Sequence, residues 1–176
     1  MDSRAAHAPF ILLGSFCSVA AQIMLAPNIA VAGVVPNFLL VFTVIVAIFN
    51  NRTTSSVLGF ILGLLYDLII AGPIGVMPLV LSVLAFSVSS LNKDMFSGGW
   101  LVEVVLLLVA AFLGELLYAA LLSIVGYDTN FLGSLVSRTL PGTVYDSLLG
   151  LIIFPVMNRF SRRRRQAITT LKGKLL

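Results

Sequence analysis

Among the ionisable side chains in otherwise apolar stretches of this sequence, Asp67, Glu115, Arg138 and Asp146 stand out. Each costs at least about 2.5 to 3.5 kcal/mol at the middle of a bilayer, so each needs a partner, a polar cavity or the interface. Two kinds of chemistry suit such a set: a structural ion pair, or a pathway for a proton or ion. Their spacing places them on faces shared with small residues. Gly59, Gly63 and Asp67 follow at steps of four, as do Ala111, Glu115 and Ala119, then Arg138, Gly142, Asp146 and Gly150, and, without a charge, Gly14, Ser18 and Gln22. Such steps form a stripe along one helix face. Small residues on a stripe let another helix backbone come close in lipid, so these are packing faces and Asp67 points into protein. Asp67 near the outer end of its helix and Arg138 at the outer start of another stand at similar depth, which predicts an ion pair between them. Glu115 and Asp146 fall near mid-depth and keep the pathway reading open.

The remaining residue types exclude much. The chain has one histidine, His7, and one cysteine, Cys17. A histidine-based metal site, a Ser-His-Asp triad and an intrachain disulfide are therefore not expected. Neither a paired-aspartate metal motif nor a nucleophile with its base is visible, so no catalytic, cofactor-binding or metal-ligating residue is assigned. Gly14-Ser15-Phe16 before Cys17 matches a lipoprotein cleavage site poorly, and Cys17 reads as a buried small hydrophobe.

The elements that must position these charges are transmembrane helices. Hydrophobic residues make up 59% of the 176 residues and charged ones 10%, against about 25% charged in soluble domains. That length accommodates six spans and no separate soluble domain. The 44 residues between His7 and Arg52 carry no charge, enough for two spans at about 9–26 and 36–49, with Pro36 in the first turn of the second. Ala30-Val31-Ala32 resembles a signal cleavage site, but the apolar core is too long and a further apolar segment follows. Spans at about 56–71 and 75–91 join through Ala71-Gly72-Pro73-Ile74-Gly75, a turn tight enough to make them antiparallel neighbours. Lys93-Asp94 and Gly98-Gly99-Trp100 form the next loop, with Trp100 an interfacial anchor. The fifth span covers about 101–124 and is closed by Gly126 to Asn130. The sixth, about 137–157, ends near Pro155 and Asn158. Residues 1–158 thus form one helical membrane domain and 159–176 a basic tail. With the N-terminus cytoplasmic, Arg4, Arg52, Lys93, Arg159, Arg162, Arg163, Arg164, Arg165, Lys172 and Lys174 lie inside, leaving only Arg138 of the 11 basic residues outside. That asymmetry predicts both termini in the cytoplasm. The arginine run suits stop-transfer and contact with lipid head groups, or a cytoplasmic protein partner; nucleic acid is not expected.

Three segments together resemble one family. Pro36-Asn37-Phe38-Leu39-Leu40, then Gly59 to Gly75 with its Gly-Leu-Leu-Tyr-Asp-Leu core around Tyr66 and its Gly72-Pro73-Ile74-Gly75 turn, then Arg138-Thr139-Leu140-Pro141, are similar to the rod shape-determining MreD family. The sequence departs at Asn37, where many members have Asp, and at Asp146, where an uncharged polar residue is expected. The resemblance implies a non-enzymatic inner-membrane scaffold of the bacterial cell-wall elongation machinery, the elongasome, which makes lateral-wall peptidoglycan. Implied partners are an MreC-like protein, an MreB-like filament, a SEDS glycosyltransferase, a class B transpeptidase and the lipid bilayer. It also implies a fold similar to the substrate-binding subunits of energy-coupling-factor vitamin transporters, and such a subunit is the alternative function. That alternative requires a polar pocket open to the outside and an Ala-x-x-x-Ala face on the first span, which this sequence lacks. The residues expected to matter for structure or interaction are Gly59, Gly63, Tyr66, Asp67, Gly72, Pro73, Gly75, Glu115, Arg138, Pro141 and Asp146.

Overall fold

The computed structural model describes residues 3–31, 33–94, 100–127 and 131–172. Ala32 of the cleavage-like tripeptide, the Gly98-Gly99 loop, the Trp100 side chain, the Asp128 to Asn130 turn and the side chains of the arginine run lie outside the described residues. Among those described, regular structure is helical: α1 (Ser3–Met24), α2 (Phe38–Phe49), α3 (Arg52–Ile70), α4 (Val76–Asp94), α5 (Trp100–Ile124), a short α6 (Phe131–Ser134) and α7 (Leu140–Lys172). A π-helical turn, Leu135–Thr139, fuses α6 to α7. The segments Arg52–Ile70, Leu101–Ile124 and Phe131–Arg159 are long and apolar enough to cross a membrane, and Ile11–Met24, Phe38–Phe49 and Val76–Asn92 are apolar but shorter. Large apolar side chains such as Leu12, Phe16, Leu101 and Ile152 face outward, the surface expected of a chain whose solvent is lipid and not water.

The centre of the bundle is α2. Every residue from Phe38 to Ile48 is buried, and α1, α3, α4, α5 and α7 all pack on it. Twelve residues rise only about 18 Å, short of the roughly 30 Å hydrocarbon core. The orphan backbone groups at its ends must therefore be satisfied inside the protein. Side chains from other helices do this. At the start, the Gln22 carboxamide accepts from Phe38 N at 2.9 Å and donates to Pro36 O at 3.2 Å, while Asn37 Oδ1 accepts from Leu40 N at 3.0 Å. At the other end, Asn92 Nδ2 donates to Ile48 O at 2.7 Å and Ser89 Oγ to Asn50 O at 2.8 Å.

The glycine stripe of α3 lies against α4. A Cβ at Gly59 would stand 2.5 Å from Leu81 O, and one at Gly63 the same distance from the Pro78 backbone, so only glycine permits this approach. Ala71 (φ 53°) and Gly75 (φ 108°) bend the chain between the two helices.

Three details differ from the sequence reading. Pro36 precedes the helix, because Asn37 supplies the cap and α2 begins at Phe38. Helix α7 runs through Pro155 to Lys172: a proline removes one donor, and the helix continues where its neighbours re-satisfy the freed group. Cys17 is exposed, at the margin of the outward face that carries Leu12, Leu13 and Phe16, while a Cβ at Gly14 would meet the Phe42 ring.

Candidate functional site

Asp67 does not meet the partner its depth suggested. Asp67 Oδ2 accepts the Gly75 N–H at 2.7 Å, with the N–H groups of Val76 and Met77 close by, and Oδ1 has no hydrogen-bond partner. The carboxylate thus closes its own hairpin at the N-terminal end of α4, where free N–H groups and the helix dipole favour an anion. Arg138 is not its partner, and its side chain is exposed. A donor eight residues away along a tight turn is ordered at little entropic cost, and it outcompetes a long side chain from another hairpin.

Asp146 does the same for α2. Its Oδ1 accepts the Asn37 N–H at 2.7 Å across 109 residues of sequence. Both aspartates therefore sit where a helix begins and backbone donors are unpaired. Asn37 links the two uses, capping α2 with its side chain while its backbone donates to Asp146.

Glu115 is placed differently. It comes from the small-residue stripe of α5, between Ala111 and Ala119, which faces the stripe of α7, so that its carboxyl group lies beside Gly142. The side chains of Asp146 and Asn37 are its near polar neighbours, and Arg138 acts on it only at a distance. Asp146 Oδ2 and Asn37 Nδ2 have no hydrogen-bond partner. The opposite side of Glu115 borders a cavity of about 320 Å³, walled also by Tyr66, Tyr118, Tyr127, Arg138 and Thr139. Tyr66 and Tyr118 meet edge to face with centroids 6.0 Å apart. The cavity opens where α3 and α5 finish and the last helix begins, the end of the bundle away from the basic extension of α7. The loop between α1 and α2 borders it through Gly33, Val34 and Val35; a Val31–Val34 bridge and a 2.6 Å bond from the Tyr145 hydroxyl to Ile29 O hold that loop.

Of the other residues singled out from sequence, Gly72 also lines this cavity. Pro73 and Gly75 shape the α3–α4 turn, and Pro141 lies exposed in the first turn of α7. Tyr118 and Tyr127 were not foreseen, and Thr139 was named only within the Arg138-Thr139-Leu140-Pro141 motif. Tyr118 stands three residues after Glu115, a spacing that puts it on the same face, whereas Tyr127 lies in a loop and no pattern points to it. Among the described residues no three His, Cys, Asp or Glu side chains gather.

Fold and site together define a helical membrane protein, with a short buried central helix held by polar side chains and a polar cavity at one end. The model of the rod shape-determining protein MreD family matches residues 4–164, and the chain belongs to that family. No curated protein and no solved structure matches it. Membership assigns it to rod shape determination and to the shape system that MreD forms with MreB and MreC.

Proposed function

We propose that this protein is a non-enzymatic scaffold of the cell-wall elongation complex in the bacterial inner membrane. In this reading it spans the bilayer six times with both termini cytoplasmic. It holds an MreC-like protein and an MreB-like filament together with the SEDS glycosyltransferase and class B transpeptidase of lateral peptidoglycan synthesis. The observation that carries the proposal is the family match over residues 4–164. The polar groups suit it: each buried aspartate accepts a backbone N–H where a helix begins, a structural use. Residues 159–176 form its basic cytoplasmic tail, suited to anionic head groups.

Depletion in a rod-shaped host should round the cells and release MreC from the complex isolated in mild detergent. Unchanged shape accompanied by lost vitamin uptake would instead favour a transporter subunit. Reporter fusions check the orientation independently. Those at Gly72 and Asn130 should read as external, and those at Asn51, Phe96 and Gly173 as cytoplasmic. A cytoplasmic signal at Asn130 would overturn the six-span arrangement.

A further inference from the structure

Glu115 and Arg138 border one void without hydrogen-bonding to each other. The Glu115 carboxyl group lies beside Gly142, four residues further along the chain than Arg138, which is about one helical turn, or 5–6 Å of rise. An acid therefore sits toward the floor and an exposed guanidinium toward the mouth, with the phenols of Tyr66, Tyr118 and Tyr127 around the wall. At about 320 Å³ the void is at the lower end of the range that holds small molecules, roughly 300–1,000 Å³. Arg138 lies within the π-helical turn Leu135–Thr139, an irregularity that is frequent at functional sites. Nothing in the scaffold role uses these groups.

The geometry points to a binding site for a small zwitterion of amino-acid to dipeptide size, its ammonium group on Glu115 and its carboxylate on Arg138. A ligand of one charge would leave the opposite group unmatched. A planar guanidinium takes a carboxylate through two parallel hydrogen bonds, and tyrosine rings beside an acid suit an ammonium group. The site goes beyond the scaffold reading, and its test does not depend on cell shape.

The purified full-length protein in lipid nanodiscs would be titrated calorimetrically with glycine, glycylglycine and alanylalanine. Parallel titrations would use N-acetylglycylglycine, which lacks the ammonium group, and glycylglycine amide, which lacks the carboxylate. At least one free zwitterion should bind saturably, and blocking either end should weaken it by about tenfold or more, the loss expected for one charge-assisted hydrogen bond. Arg138→Gln, at an exposed position, should leave the protein folded and make it indifferent to amidation while it still discriminates against acetylation. Glu115→Gln should show the reverse. If Glu115→Gln fails to fold, the Arg138→Gln titrations decide alone. Absence of saturable binding by all three zwitterions up to about 10 mM, a concentration that would nearly saturate a site with a Kd of about 1 mM, overturns the site. Equal binding of the blocked and free forms overturns it as well.

Discussion

The α3–α4 hairpin and the face between α5 and α7 are built from the same ingredients, a stripe of small residues and a buried acid, and reach opposite results. In the hairpin the glycines bring two backbones into contact, and Asp67 is absorbed by the turn eight residues later. Between α5 and α7 the stripe packs closely at Gly150, where a Cβ would stand 2.8 Å from the Leu107 side chain, but it leaves room at Gly142. Gly142 meets no neighbour nearer than ordinary contact, Asp146 is consumed by the start of α2, and Glu115 is left at the edge of a void. A small-residue stripe therefore does not by itself mean close packing. What the facing helix presents decides: backbone in one case, the Glu115 side chain in the other.

Identical substitutions on the two stripes break the comparison most sharply. At Gly63 even one methyl group would press on the Pro78 backbone, 2.5 Å away, so Gly63→Ala should cost about 1–3 kcal/mol or more, and Gly63→Leu should abolish accumulation. At Gly142 the nearest atom is the Glu115 carboxylate at 3.6 Å. Gly142→Ala should be neutral, or stabilising by up to about 1 kcal/mol through helix propensity. Thermal unfolding of both variants in detergent measures the difference; equal losses would show that the α5–α7 face is as tightly packed as the hairpin.

The acids give a smaller contrast. Asp146→Ala strands the buried Asn37 N–H and should cost about 1–3 kcal/mol. Asp67→Ala should cost less, because the Gly75 N–H it releases is only partly buried and can turn to water or head groups. Exchanging the charges, Asp67→Arg with Arg138→Asp, should restore nothing beyond the worse single variant. Recovery of protein level in the exchange would re-establish the ion pair.

The periodicity of apolar residues was enough to mark the helices, because in lipid each span must satisfy its own backbone and so leaves a run without charges. It also placed Gly59, Gly63 and Asp67 on one face, since a helix has a fixed repeat. The cap at Asn37 was legible in principle, an Asn directly before an apolar run, but Pro36 drew the boundary two residues early. The destinations of the acids were not legible. Asp67 and Arg138 share a depth, and depth is one coordinate of three; the direction of each side chain depends on how the helices are rotated. Only the tertiary arrangement brought residue 146 onto residue 37, and only it left a gap where α5 faces α7. The repeat of a helix is a local property carried by every residue in it. A cavity is a property of surfaces that fail to meet, and no single segment contains it.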